Sequence, residues 1–246
     1  VKCEDVYRLF FDEDSREVVE IRAYGCKGKN RAWKGWAGGP GIVFGYFDNA
    51  DAFGKAAEGL DKAEAPGIYF TLNPVIPDLL ARSPNRLMAA DNKTPATSDK
   101  EILCIRWLPI DLDPNRPTGI SSKDEELKEA IKLRNRIWKW LEKEFGASPG
   151  IPAMSGNGAH LAYRLPDLPI ENRDDLDQDP TVHLVKSCLL AIKSKFENKK
   201  VTVDNMVFNP SRIWKLYHTT VRKGGSTKDR PHRRSYVEPK FIKKEG

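Results

Sequence analysis

Nowhere in the 246 residues does an apolar run reach the length of a membrane span. The opening stretch, VKCEDVYRLFF, lacks the long apolar core of a secretory signal peptide. A cytoplasmic protein without membrane attachment is therefore expected. Cysteine is scarce: Cys3, Cys26, Cys104 and Cys188 are scattered, and no pair has zinc-ligand spacing. No zinc site is expected, and in a reducing compartment no disulfide framework either; all four read as packing or surface residues. The chain has no phosphate-binding P-loop, no HExxH and no GxSxG. These absences remove three large groups of nucleotide-binding and hydrolytic enzymes. Internal repeats and low-complexity segments are also missing.

What is present is the composition of a soluble globular protein, with 39% hydrophobic and 9% aromatic residues. The length allows one large domain or two small ones. The formal net charge is +6, a mild lean towards polyanions. From Arg222 onward nine lysines and arginines stand against three acids, so this tail carries the whole excess. It reads either as a solvated terminus or as a nucleic-acid contact, and as a possible link to further domains.

Strands are expected in REVVEIRAY (16–24), GIVFGYF (41–47) and GIYFTL (67–72), rich in β-branched and aromatic residues. The glycine-rich, basic stretch between the first two, with Trp33 and Trp36, reads as a mobile loop. Asp48 is placed to cap a helix over 50–60. The polar segment 91–99 reads as a seam. A helix follows over 121–145, with Ser122 and Glu125 as a capping box and an inward stripe running from Leu127 to Phe145, broken only by Arg134. IPAMSGNGAHLAYRL reads as a hairpin turning at Gly156-Asn157-Gly158. Asp179 and Pro180 start a second helix, and strands follow in KKVTVDNMVF and RIWKLYHT. From about residue 102 the order is strand, helix, hairpin, helix, strand, strand. It fits an α+β layer, an antiparallel or mixed sheet with helices on one face.

The apolar run WLPIDLDPNRP (107–117) ends on two aspartates one residue apart. Side chains two apart on a strand share a face, so Asp111 and Asp113 should stand side by side. Carboxylates held that close repel, and one tends to stay protonated unless a cation joins them. An ordinary exposed strand end is the plain alternative. Two further features stand out. In SGNGAH, small residues let a ligand approach the backbone, N–H groups of the turn suit phosphate oxygens, and Ser155 and His160 add donors. A simple hairpin turn explains the same residues. Asp204 lies inside the apolar strand VTVDNMV, where a carboxylate needs a cation or a salt bridge. Arg212 and Lys215 follow, both able to neutralise phosphate or to sit on a solvated face. Three carboxylates suit Mg²⁺ or Mn²⁺ bound with water and substrate phosphates.

The order DLDP, SGNGAH, VTVD resembles the archaeo-eukaryotic primase superfamily, particularly the primase-polymerases of plasmids, phages and CRISPR-associated loci. NRP after the DxD, GIYFTLNPV, NPSRIWKL and RKGG are similar to that subgroup, and the resemblance spans roughly residues 16 to 234. It implies an N-terminal α/β subdomain (1–100) packed on an RRM-like catalytic subdomain (101–220), with a basic extension (221–246). It implies a nucleotidyltransferase that joins an NTP or dNTP to a 3′-hydroxyl on a single-stranded DNA template, including primer synthesis. Asp111, Asp113 and Asp204 would bind the metal, two Mg²⁺ or Mn²⁺ ions. Ser155, Gly156, Asn157, Gly158 and His160 would hold the triphosphate, with Arg212, Lys215 and Lys223; Asn73 would face the nucleotide. Trp33, Trp36 and nearby lysines could stack on template or cover a core edge. Two rivals remain at this stage, a DxD glycosyltransferase and a non-catalytic nucleic-acid-binding module.

Overall fold

The computed structural model describes residues 2–39, 41–91, 96–147 and 150–241. Residues 92–95 of the expected seam, and Lys243 and Lys244 of the tail, lie outside that range. In chain order the elements are α1 (Glu4–Phe10), β1 (Val19–Tyr24), β2 (Gly28–Asn30), β3 (Trp33–Ala37), β4 (Val43–Phe47), α2 (Ala50–Lys62), β5 (Gly67–Thr71) and β6 (Met88–Ala89). Then come β7 (Ile105–Pro114), α3 (Asp124–Phe145), β8 (Ile151–Met154), β9 (Ala159–Leu168), α4 (Pro180–Phe196), β10 (Val201–Asp204), β11 (Ile213–Lys215), β12 (Thr220–Val221), β13 (Arg233–Arg234) and β14 (Tyr236–Val237). The architecture is mixed α+β. Among the described residues no helix is long and apolar enough to cross a membrane.

Two sheets organise the chain. Seven strands run β11-β5-β1-β4-β6-β3-β2, and five run β10-β7-β9-β8-β14. Within the second sheet every pairing is antiparallel. Ile110, Leu112, Leu161, Val201 and Val203 leave one of its faces and pack with Ala130, Leu133 and Ile137 of α3 and Val185, Leu189 and Ile192 of α4. Period-two alternation then sends Asp111 and Asp113 to the opposite face. That face meets the first sheet, where Trp107, Ala153 and Ala162 join a cluster with Phe10, Phe70 and Trp214.

Local details depart from the sequence reading. The stretch expected as a loop is the β2–β3 hairpin, held by burial of Trp33 and by its indole N–H, which donates to the Gly28 carbonyl at 3.2 Å. Asn49, not Asp48, caps α2, its side chain accepting from the Ala52 N–H; Asp48 is engaged by Arg16 and Asn85. At α3 the Glu126 carboxylate accepts from the Lys123 N–H, one residue beyond the expected Ser122–Glu125 box, because Ser122 is tied to Asn157. Phe145 is exposed rather than inward, whereas Arg134 is buried and donates to the Ala153 carbonyl and Glu238. RIWKLYHT supplies β11, which pairs with β5 of the first sheet rather than continuing the second. The basic tail up to Val237 is built into the fold: β14 edges the second sheet, and Arg222, Arg230 and Arg233 pair with Asp61, Glu126 and Asp124.

Candidate active site

The strand register places three of the singled-out side chains in one row. Asp204 of β10 lies opposite Asp111 of β7, and Asp111 lies opposite His160 of β9. Directly opposed residues of antiparallel strands share a face, with Cα atoms about 4.5–5.5 Å apart. Asp113 stands two residues further along the same face of β7. Every member of this group therefore owes its position to backbone pairing, not to a flexible loop.

His160 is held from the first sheet. The Trp214 indole N–H donates to the Tyr217 hydroxyl at 2.7 Å, and that hydroxyl meets His160 Nδ1 at 2.8 Å. The Tyr217 proton is thus free for Nδ1, which leaves the Nε2 hydrogen facing Asp111 Oδ1 at 3.3 Å. The Trp214 ring lies against the imidazole, with centroids 3.9 Å apart. Burial works to raise the Asp111 carboxyl, but attraction to His160 and Arg212 outweighs it and holds the group below its ordinary range. Asp113 moves the other way: burial and the Asp111 charge raise it, and Arg116 at 3.2 Å only partly offsets them. Adjacent carboxyls driven apart in this way are the signature of a site short of positive charge.

The SGNGAH turn closes the end of this row. The Ser155 hydroxyl accepts from the Gly158 N–H at 3.1 Å, and the Ser155 N–H donates to the Gly158 carbonyl at 3.0 Å. The Asn157 side chain accepts from the Ser122 N–H at 2.9 Å, fastening the turn to the start of α3. Gly156 has a left-handed φ of 104°, and a Cβ there would come within 2.4 Å of Val221. A Cβ on Gly158 would lie 2.5 Å from the Leu112 carbonyl oxygen.

A cleft of about 380 Å³ between the sheets is lined by Asp111, Asp113, Asp204, Ser155, Asn157, His160, Arg212, Lys215 and Lys223. Of the residues singled out in the sequence, Gly156 and Gly158 form the turn behind it. Tyr24, Tyr69, Arg116 and Trp214 also line it, and sequence reasoning assigned them no role. The Arg212 Nε is buried without a hydrogen-bond partner, and its Nη2 donates to the Met206 carbonyl. Lys215 is buried on the cleft wall, bonded to the Ile68 carbonyl at 3.1 Å. Burial brings its amine down to about 7. Asn73 does not face the cleft: its amide donates to the Pro210 carbonyl and accepts from the Arg106 N–H. Asp204 is half-buried and accepts from the Met206 N–H rather than from Arg212.

Among the described residues, no three His, Cys, Asp or Glu side chains already converge as a ready metal cage. The donor set nevertheless suits a hard divalent cation. It is all carboxylate along one sheet row, it opens to the cleft, and the mutual repulsion of Asp111 and Asp113 is what such an ion relieves.

No family model matches the chain, and no curated protein matches it. Among solved structures it is similar to the polymerase domain from Mycobacterium tuberculosis Ligase D in complex with DNA, at 12% sequence identity and a TM-score of 0.49. The match covers 98% of this chain and 84% of that one. At that identity and superposition it assigns this chain neither a family nor an activity.

Proposed function

We propose that the protein is a nucleotidyltransferase of the primase-polymerase type. It would extend a 3′-hydroxyl on a single-stranded DNA template from NTPs or dNTPs, and begin primers without one. The observation that carries this reading is the row Asp204–Asp111–His160, with Asp113 beside it, opening into one cleft with Arg212, Lys215 and Lys223. Residues 1–100 and 101–220 would form two subdomains of the core, with 221–246 as its basic extension.

The chain's own groups divide the work. Arg212 lines the cleft with a planar guanidinium that can hold a phosphate oxygen directionally, whereas Lys215 and Lys223 supply point charge. Ser155 accepts from Gly158, so its own hydroxyl proton remains available to the triphosphate. Gly156 and Gly158 keep the turn bare of side chains. His160, clamped by Tyr217 and Trp214, orients Asp111 and presents a hydrogen at the centre of the row. Positioning of this kind is the main demand of phosphoryl transfer: the 3′-oxygen bonds to the α-phosphorus in line as the bond to pyrophosphate breaks. Asp111, Asp113 and Asp204 would hold Mg²⁺ or Mn²⁺, which when bound would neutralise phosphate charge and favour the deprotonated hydroxyl.

The test is incorporation of labelled nucleotides on single-stranded DNA, with and without a primer, comparing wild type with Asp111→Asn/Asp113→Asn. A ladder from unprimed template, absent in the variant, supports a primase-polymerase. Extension of primed template alone reduces the assignment to a polymerase. No product from either template overturns the reading.

A further inference from the structure

The β2–β3 hairpin carries a second surface that the cleft does not use. Between Ile21 and Phe47 the sequence has no acid at all, yet it holds Arg22, Lys27, Lys29, Arg31 and Lys34. Within the hairpin two tryptophans do different work. Trp33 is buried in the core, which anchors the hairpin, and its indole bonds the Gly28 carbonyl across the hairpin. The Lys34 N–H donates to the Leu87 carbonyl, a second anchor. Trp36 is 67% exposed, on the same strand face as Lys34. Its indole therefore presents a π-face to solvent on the outer side of the strand.

Beside it, between the hairpin and α2, runs a groove of about 720 Å³ lined by Arg31, Lys34, Lys55 and Arg86, with Asn49 and Asp51. All four cations are exposed, and none has an ion-pair partner among the described residues. The one carboxylate of the lining, Asp51, faces Arg8 at 3.6 Å. This contrasts with the C-terminal arginines, whose charges are taken up by carboxylates of the fold. A positively charged groove that reaches Lys34, with a solvent-facing aromatic ring two residues along the same strand face, is the chemistry of single-stranded nucleic acid recognition: cations follow the phosphates and a base stacks on the ring.

We infer that the β2–β3 hairpin and its groove bind single-stranded nucleic acid, with one base stacked on Trp36 and phosphates on Arg31, Lys34, Lys55 and Arg86. β2 and β11 are opposite edges of the seven-stranded sheet. At about 4.8 Å per strand spacing they lie roughly 29 Å apart. A strand of about nine stacked nucleotides, at 3.4 Å each, would reach from hairpin to cleft. The identity of the strand as template rests on the proposed function; the binding surface itself does not.

The experiment measures binding of a fluorescent 20-nucleotide oligo-dT, without metal or nucleotide, by anisotropy and by quenching of intrinsic tryptophan emission. Trp36 is the only strongly exposed tryptophan among the described residues, so a stacked base reports there. Trp36→Ala should weaken binding about ten-fold and abolish most of the quenching. Lys34→Ala/Arg86→Ala should flatten the salt dependence by about 0.7 per lost phosphate contact. Affinity within two-fold of wild type in Trp36→Ala overturns the inference. So does equal binding of duplex DNA and dextran sulfate without quenching, which would mean a general polyanion surface. A change of sedimentation coefficient in Trp36→Ala with binding intact would also overturn it, since the face would then join copies of the chain. Trp36-dependent binding without any polymer synthesis leaves this surface standing while the cleft's assignment falls; synthesis unaffected by loss of Trp36, with binding unchanged, does the reverse.

Discussion

Lys215 carries an amine that burial has brought down to about 7, from an ordinary value of 10.5. Desolvation dominates, and attraction to Asp61 only partly restores the charge. In the unfolded chain the same amine stays protonated up to its ordinary value. Between about pH 7 and 10.5 the unfolded state therefore binds one more proton, and stability contributed by this residue rises with pH across that window. Below about pH 7 the cost of the buried charge is present in full. Lys215→Met is expected to be more stable than wild type at pH 6, by roughly 1–2 kcal/mol, and to lose the rise above pH 7. Urea unfolding at the two pH values measures both. A triphosphate beside the amine favours its charged form, so nucleotide binding should take up a proton near pH 7. Calorimetry in buffers of different ionisation enthalpy would show the uptake in wild type and its absence in Lys215→Met.

The turn between β8 and β9 works as an element because its glycines are pressed against β7. A Cβ on Gly158 would meet the Leu112 carbonyl oxygen at 2.5 Å and the Asp113 Oδ1 at 3.2 Å, and Leu112 is fixed by its pairing with Ala159. Gly158→Ala should push the turn away from Asp113. We expect a stability loss of about 1–3 kcal/mol and a loss of nucleotide affinity of at least ten-fold, read by thermal melts and calorimetry. The turn, the DxD strand and both long helices were legible in sequence because period-two and helical patterns record burial directly. Other elements were not. The β2–β3 hairpin hides its alternation, with Trp33 and Ala37 inward and Lys34 and Trp36 outward, under glycines and lysines that read as loop. The α2 cap falls on Asn49 rather than Asp48 because either side chain can cap, and Arg16 and Asn85 claim the aspartate. Tyr24 and Tyr69 reach the cleft from strands of the other sheet, and no local pattern announces that. Arg116 had one signal, its place just after the DxD.

Across the whole molecule, Arg106 ties the layers together. Its guanidinium is 6% exposed and bonds Glu17, ahead of β1, and Asp167, at the far end of β9. Hydrogen bonding to Arg106, reinforced by Arg164, lowers the Asp167 carboxyl to about 2. A carboxyl depressed on folding stabilises the protein above its ordinary range, and that contribution is lost as pH falls from about 4 towards 2. Asp167→Asn should flatten the stability curve in that interval, measured by acid titration of the far-UV circular dichroism. Arg106→Met should be more severe, about 2–4 kcal/mol, because it strands Glu17 among buried neighbours. The same inter-layer packing holds Trp214 and Tyr217 on His160, and so holds the row of acids open to the cleft. This row and the cleft's cations are proposed to form one metal-dependent nucleoside triphosphate site. Titration of a non-hydrolysable dNTP analogue with and without Mn²⁺ tests it most directly, in wild type and in Asp111→Asn/Asp204→Asn. Mn²⁺ should tighten binding at least ten-fold in wild type and have no effect in the variant; an equal gain in both would mean that these carboxylates do not hold the metal.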